Sequence, residues 1–201
     1  MHSGVAEAVL RGRELRYAVD AVVVLAGIPG AGKSTFLRRV FAGSPVRVYD
    51  SAQVRERWMP VLGVLPYALW RPLVHLMYYV TLVRSLRRGQ GPMVIHDCAT
   101  RPWVRRLIGR RAQRAGLPLH LILLDVPSDL ARSGQYARGR VVRRGSMETH
   151  CRRWPELVAK AESEPGSVVP GALSAVVLTR SEADRVERVA FGDHRVRSGC
   201  G

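Results

Sequence analysis

The segment Gly27-Ile28-Pro29-Gly30-Ala31-Gly32-Lys33-Ser34 follows directly on the apolar run Ala21–Ala26 (AVVVLA). No other stretch limits the fold as tightly. Its three glycines let the backbone turn sharply, so that successive N–H groups point inward at an anion. A helix beginning at about Gly32 adds the positive end of its dipole to the same spot. Lys33 is placed to reach the outer phosphates of a nucleotide, and the Ser34 hydroxyl to sit on Mg²⁺. Residues Gly27, Ile28, Pro29, Gly30, Ala31, Gly32, Lys33, Ser34 and Thr35 are therefore the predicted nucleotide-binding loop. Chance produces this spacing about 0.002 times in a chain of this composition, so the match is specific.

Around the loop, short apolar runs alternate with helical patterns. Strands are predicted at 21–26, 46–49, 93–96, 119–124 and 175–178. Between them the spacing predicts a helix at 35–42, a helical stretch over 52–88 interrupted by prolines, and helices at 102–115, from 128 and at 147–161. A last helix is expected to open on a capping box of Ser181 and Asp184. Strand–helix alternation of this kind implies an α/β sandwich around a mostly parallel sheet. Residues 1–191 read as a single domain, with a flexible basic tail from 192.

The chain has 201 residues and a net charge of +16, from 32 Lys+Arg against 16 Asp+Glu. A hydrophobic share of 47% excludes a disordered chain, and the charge points to anionic partners. Only Lys33 and Lys160 are lysine, so one of two lysines falls where the phosphate chemistry needs it. Cys98, Cys151 and Cys200 are too widely spaced for a disulfide framework or a zinc site, which fits a reducing cytosol. A cytoplasmic location is expected. The stretch 58–86 is broken by Arg71, His75, Arg84 and three prolines; it reads as a pair of buried helices, not a membrane span.

The loop ends in Gly-Lys-Ser, which excludes a Rossmann dinucleotide site. No Asn-Lys-x-Asp base-reading motif is present, as a GTPase would need. Asp97 has no neighbouring acid to polarise water, which favours transfer to a bound acceptor over hydrolysis.

Taken together, GIPGAGKST, Asp50 followed by Arg55, Asp97 at the end of a third strand, and the Arg-rich segment 132–144 resemble P-loop kinases. More narrowly, they are similar to the polynucleotide-kinase-like and zeta-toxin-like group, often described as AAA-domain ATP-binding proteins. The resemblance implies a three-layer P-loop sandwich with a five-stranded parallel sheet ordered 2-3-1-4-5 and an Arg-rich lid at about 132–146. It implies ATP and Mg²⁺ as cofactors. It places Asp50 as general base on an acceptor hydroxyl, Asp97 with Ser34 at the metal, and Arg132 and Arg138 over the transferring phosphoryl group, with Arg140 next. The family often has a second acid after the base, whereas here Ser51 follows. Asp50 is also a natural N-cap for the next helix.

The acceptor is expected to be a hydroxyl-bearing or anionic molecule: a small metabolite, a nucleotide or a nucleic-acid end. Thr100 and Arg101 are candidates for its side of the site. An alternative function is a nucleotide-dependent, nucleic-acid-binding ATPase or switch, supported by charge alone. The aromatics Trp58, Tyr67, Trp70, Tyr78 and Tyr79 read as packing of helices over the sheet edge, with a pocket on Arg71 and His75 as the alternative. A membrane-surface role for residues 58–88 is a third possibility.

Overall fold

The computed structural model describes residues 9–11, 13–41, 44–89, 91–97, 101–136 and 144–192. Two short strands, β1 (Val9–Arg11) and β2 (Glu14–Tyr17), precede the apolar strand β3 (Val22–Gly27). The glycine loop follows and leads into α1 (Lys33–Val40), then β4 (Arg47–Tyr49), α2 (Ser51–Leu62) and α3 (Tyr67–Arg87). Next come β5 (Met93–His96), α4 (Pro102–Arg114), β6 (Leu119–Asp125), α5 (Ser128–Tyr136) and α6 (Arg144–Ser163). The chain closes with α7 (Pro165–Val168), β7 (Ala172–Thr179), α8 (Arg180–Arg185) and β8 (Arg188–Phe191).

The main sheet has five parallel strands in the order β4-β5-β3-β6-β7, which is 2-3-1-4-5 among the strands expected from the sequence. Every residue of β3 is buried because helices cover both faces, which is why its sequence is a continuous Val/Leu run without alternation. Leu25, Ile95 and Ile122 are fully buried on neighbouring strands. Each such side chain contributes roughly 1.5–3 kcal/mol of burial. The helices present matching stripes: Val104, Ile108 and Ala112 on α4, and Met147, Trp154, Leu157, Val158 and Ala161 on α6. Trp154 donates its indole N–H to Asp125 Oδ1 at 2.8 Å, tying α6 to the end of β6.

Several expectations needed correction. The break in 52–88 falls at 63–66, not at every proline; Pro60 and Pro72 lie inside helices. The pair is not buried as a unit, since no residue of α2 is buried and α3 buries only one stripe. The capping box of α8 sits two residues earlier than expected. Thr179 is the N-cap and Glu182 reaches back to its amide at 2.8 Å.

A second sheet, β1-β2-β8, was not anticipated. β2 pairs antiparallel with β1 and parallel with β8, with Glu14 opposite Arg188. Its alternation is real, with Leu15 and Tyr17 buried, but four residues give too short a pattern to stand out.

Candidate active site

The loop after β3 turns on two left-handed glycines, Gly30 at φ 91° and Gly32 at φ 92°. A side chain at either position would be strained, because L-residues rarely adopt these angles. Gly30 is also pressed against α5: a Cβ there would lie 1.9 Å from the Ala131 carbonyl oxygen. From the other side, a Cβ on Gly134 would stand 2.9 Å from the Gly30 carbonyl oxygen. Gln135, itself buried, donates to the Pro29 carbonyl at 3.1 Å. Helix α5 therefore braces the loop through close backbone contact, a role the sequence did not reveal for Gly134 and Gln135.

Gly32 caps α1, and the amides of Thr35 and Phe36 both bond back to its carbonyl at 2.9 Å. Lys33, the first residue of α1, is buried and lies along the loop. Its Nζ donates to the carbonyls of Gly27 at 2.6 Å and Ile28 at 3.1 Å. These bonds hold the ammonium at the mouth of the cradle that the sequence assigns to phosphates. Ser34 and Thr35 follow, Ser34 half-buried and Thr35 exposed.

Asp50 stands at the end of β4, two strands from β3. Its Oδ1 accepts the Ala52 amide at 2.9 Å, so it is the N-cap of α2. Its Oδ2 lies 2.7 Å from Nδ1 of His96, the last residue of the adjacent strand β5. Burial raises the Asp50 carboxyl, but His96, the Ala52 amide and the positive charge of Lys33 outweigh it, and the net shift is downward. The carboxylate form is thus favoured and its charge is felt by Lys33. Asp50 also lines a cleft of about 820 Å³ together with Pro29, Gly30, Ser34, Gln53 and Gly134.

Asp97 follows β5 and its amide bonds to the Leu25 carbonyl at 3.2 Å, which sets it beside the start of the glycine loop. His75 on α3, Arg105 on α4 and His150 on α6 all lie within electrostatic reach of Asp97. Burial lowers the His75 imidazole, with Arg101 and Arg71 adding to the effect. Burial likewise lowers His150, followed by the charges of Lys33 and Arg101. Burial also lowers Arg105, while Asp97 opposes it. His150 and His96 are the site neighbours that sequence reasoning missed. Each belongs to a regular element, and only the parallel register and the return of α6 bring them in.

The remaining candidates are more dispersed. Arg55 is half-buried on α2, Arg71 is exposed on α3, and Arg101 is exposed at the N-cap of α4. Arg132 is exposed on α5, on the helix that braces the loop. Arg138, Arg140 and Thr100 lie outside the described residues. No cluster of three or more metal-ligating side chains occurs among the described residues. The Ser34 hydroxyl and Asp97 carboxylate are nevertheless hard oxygen donors. They suit Mg²⁺, which takes one or two protein ligands and completes its shell with water and phosphate oxygens.

Comparison with known proteins agrees with this architecture. A candidate kinase from Chloroflexus aurantiacus superposes with a TM-score of 0.57 at 16% identity, covering 80% of this chain and 88% of that one. A structure from the PezAT chromosomal toxin–antitoxin system of Streptococcus pneumoniae gives 0.58 at 13% identity, covering 83% and 76%. At such identities the likeness establishes a shared fold. No match was found among curated proteins. Residues 22–162, from the first strand of the main sheet to the end of α6, match the sequence profile of the AAA domain. With the glycine loop, the strand order and most of the chain inside that match, this protein belongs to the AAA-domain family of P-loop proteins.

Proposed function

We propose that this protein is an ATP-dependent phosphotransferase that moves the γ-phosphoryl group to a hydroxyl of an acceptor bound in the cleft beside Asp50. The observation that carries this reading is one shared cavity. Pro29, Gly30 and Ser34 of the phosphate loop and the Asp50 carboxylate line the same cleft of about 820 Å³. That volume is in the range of small-molecule sites, roughly 300–1,000 Å³. The kinase description of the Chloroflexus neighbour is consistent with it.

In this mechanism the loop amides and Lys33 hold the β- and γ-phosphates, exchanging the carbonyl contacts of Lys33 for phosphate oxygens. Asp50, kept ionised by its neighbours, accepts the proton of the acceptor hydroxyl as the oxygen–phosphorus bond forms. The bond from phosphorus to the bridging β,γ-oxygen breaks, and ADP leaves with that electron pair. Arg132 on α5, with Arg138 beyond it, offsets charge on the equatorial oxygens. Ser34 and Asp97 would hold Mg²⁺, which supplies charge neutralisation at the phosphates.

The test is transfer of γ-labelled phosphate from ATP into pools of nucleotides, sugars, other hydroxylated metabolites and nucleic-acid ends. The expected result is a labelled acceptor whose appearance is abolished by Lys33→Ala and strongly reduced by Asp50→Asn. Slow hydrolysis with no labelled acceptor, unaffected by Asp50→Asn, would overturn the proposal in favour of a nucleotide-dependent switch.

A further inference from the structure

Helix α3 is apolar on two opposite sides. Trp70, Val74, Tyr78, Leu82 and Leu86 recur every four residues and are buried, the last three within the main core. Leu69, Leu73, Leu76 and Val80 form a second stripe and are 69%, 42%, 60% and 38% exposed. At about 100° per residue, the second stripe is centred on the side away from the first. The end of α2 and the turn that leads into α3 add exposed apolar residues, with Val61 66%, Val64 89% and Leu65 47% exposed. A helix of a soluble domain ordinarily carries one apolar face and one polar face. Apolar surface gathered in this way marks an interaction site.

Charge identifies what this surface meets. From Arg57 to His96 the chain contains five arginines and no Asp or Glu. Arg84 and Arg87 are exposed and project from the same outward side as the stripe, one and two turns beyond Val80. An apolar stripe continued by arginines is the pattern of a helix lying in a bilayer interface, its apolar face among the acyl chains and its cations at lipid phosphates. No helix among the described residues is long and apolar enough to cross a membrane, which fits a surface position.

We propose that the α2–α3 hairpin docks this protein on an anionic lipid bilayer, with Val64 and Leu65 at the inserted tip, α3 lying along the surface, and Arg84 and Arg87 on the headgroups. A second copy of the chain is disfavoured as the occupant. Two molecules of net charge +16 repel, and the patch carries no acid to pair with the partner's arginines.

Flotation of the full chain with vesicles tests this directly, comparing phosphatidylcholine alone with phosphatidylcholine containing phosphatidylglycerol. A chain this basic is attracted to any anionic surface, so the deciding variant removes apolar area without altering charge. Val64→Ser, Leu69→Gln and Leu76→Gln combined are expected to weaken binding to the anionic vesicles by at least about tenfold, with the melting temperature kept. Arg84→Gln with Arg87→Gln is expected to weaken it and flatten its salt dependence. Should the triple variant melt early, Val64→Ser alone carries the comparison, because its side chain is almost wholly in solvent. Equal binding by wild type and the apolar variants would overturn the proposal, as would absence of binding to anionic vesicles. A dimer in lipid-free solution that the triple variant dissociates would also overturn it, assigning the face to a second copy.

Discussion

Asp50 Oδ2 lies 2.7 Å from His96 Nδ1, while Asp50 Oδ1 accepts the amide of Ala52 at 2.9 Å. Both oxygens of the carboxylate are thus held, one by the helix it caps and one by the neighbouring strand. The cap engages Oδ1 and the His96 contact engages Oδ2, and both contacts favour the ionised form that the proposed base role needs.

The two roles separate by substitution. Asparagine is as good an N-cap as aspartate, so Asp50→Asn is expected to keep the melting temperature while slowing phosphoryl transfer about 10²- to 10⁴-fold. Asp50→Ala should lose both, with an added stability cost of about 1 kcal/mol. Denaturant unfolding and single-turnover transfer on the same two proteins make the comparison. Unchanged turnover in Asp50→Asn would remove Asp50 from the chemistry.

His96 is expected to act through Asp50 as a positioning residue. His96→Ala should lower kcat roughly tenfold and leave the KM for ATP unchanged, since the contact it makes is with the Asp50 carboxylate. In an Asp50→Asn background the same substitution should add little. A double-mutant cycle in transfer rate checks this; additive losses would mean that His96 works independently.

The close approach of α5 to the glycine loop predicts sensitivity at a helix position that looks tolerant. Gly134→Ala places a methyl group 2.9 Å from the Gly30 carbonyl oxygen, and both partners are backbone, so helix or loop must shift. Such overpacking costs about 1–3 kcal/mol. We expect a lower melting temperature and a smaller ATP-induced stabilisation than in the wild type, measured by thermal unfolding with and without nucleotide. Alanine raises intrinsic helix propensity, so a stabilised variant would contradict the contact.

Away from the site, His120 predicts a pH dependence of stability. It is buried near the start of β6, bonded through Nδ1 to Ser174 Oγ at 2.8 Å, with its ring 5.0 Å from that of Tyr17. Burial pushes its value down to about 4 from 6.5. The fold holds the neutral ring, so this contribution is complete above about pH 6.5 and is lost as pH falls towards about 4, where the unfolded chain takes a proton that the folded one refuses. The loss is on the order of 3 kcal/mol. Urea unfolding across that window should show a steeper decline for wild type than for His120→Gln. Parallel curves would show that His120 does not set the slope.

How far the chain was legible depended on pattern length. The main sheet could be read because β3 is a continuous apolar run and β6 is one broken only by His120 before its closing Asp125, with Gly27 ending the first and Pro118 preceding the second. The glycine loop was legible because a spacing requirement and a helix start coincide at Gly32 and Lys33. The second sheet was not, since β1, β2 and β8 are three or four residues each and gain their identity from one another. The double-sided character of α3 was hidden for a related reason. Composition shows that 67–87 is apolar, but which stripe faces inward is decided by the position of the sheet. Likewise His96 reads as an ordinary strand residue until the register of β4 and β5, with Tyr49 opposite Ile95, carries it to Asp50.

The pairing of Glu14 with Arg188 joins segments 174 residues apart, and it has a consequence for assembly. Closing so long a loop is entropically costly, and little local structure offsets it. During synthesis every strand of the main sheet has been made by Thr179, while β8 is still to come. β2 therefore waits with one edge unsatisfied while the phosphate cradle is already flanked by β5 and β6. Arg39, reaching from α1 to the carbonyls of Ala183, Asp184 and Val186, ties α1 to the segment just before that last strand. The nascent chain can thus hold the glycine loop and the cleft beside Asp50 before β2 and β8 pair.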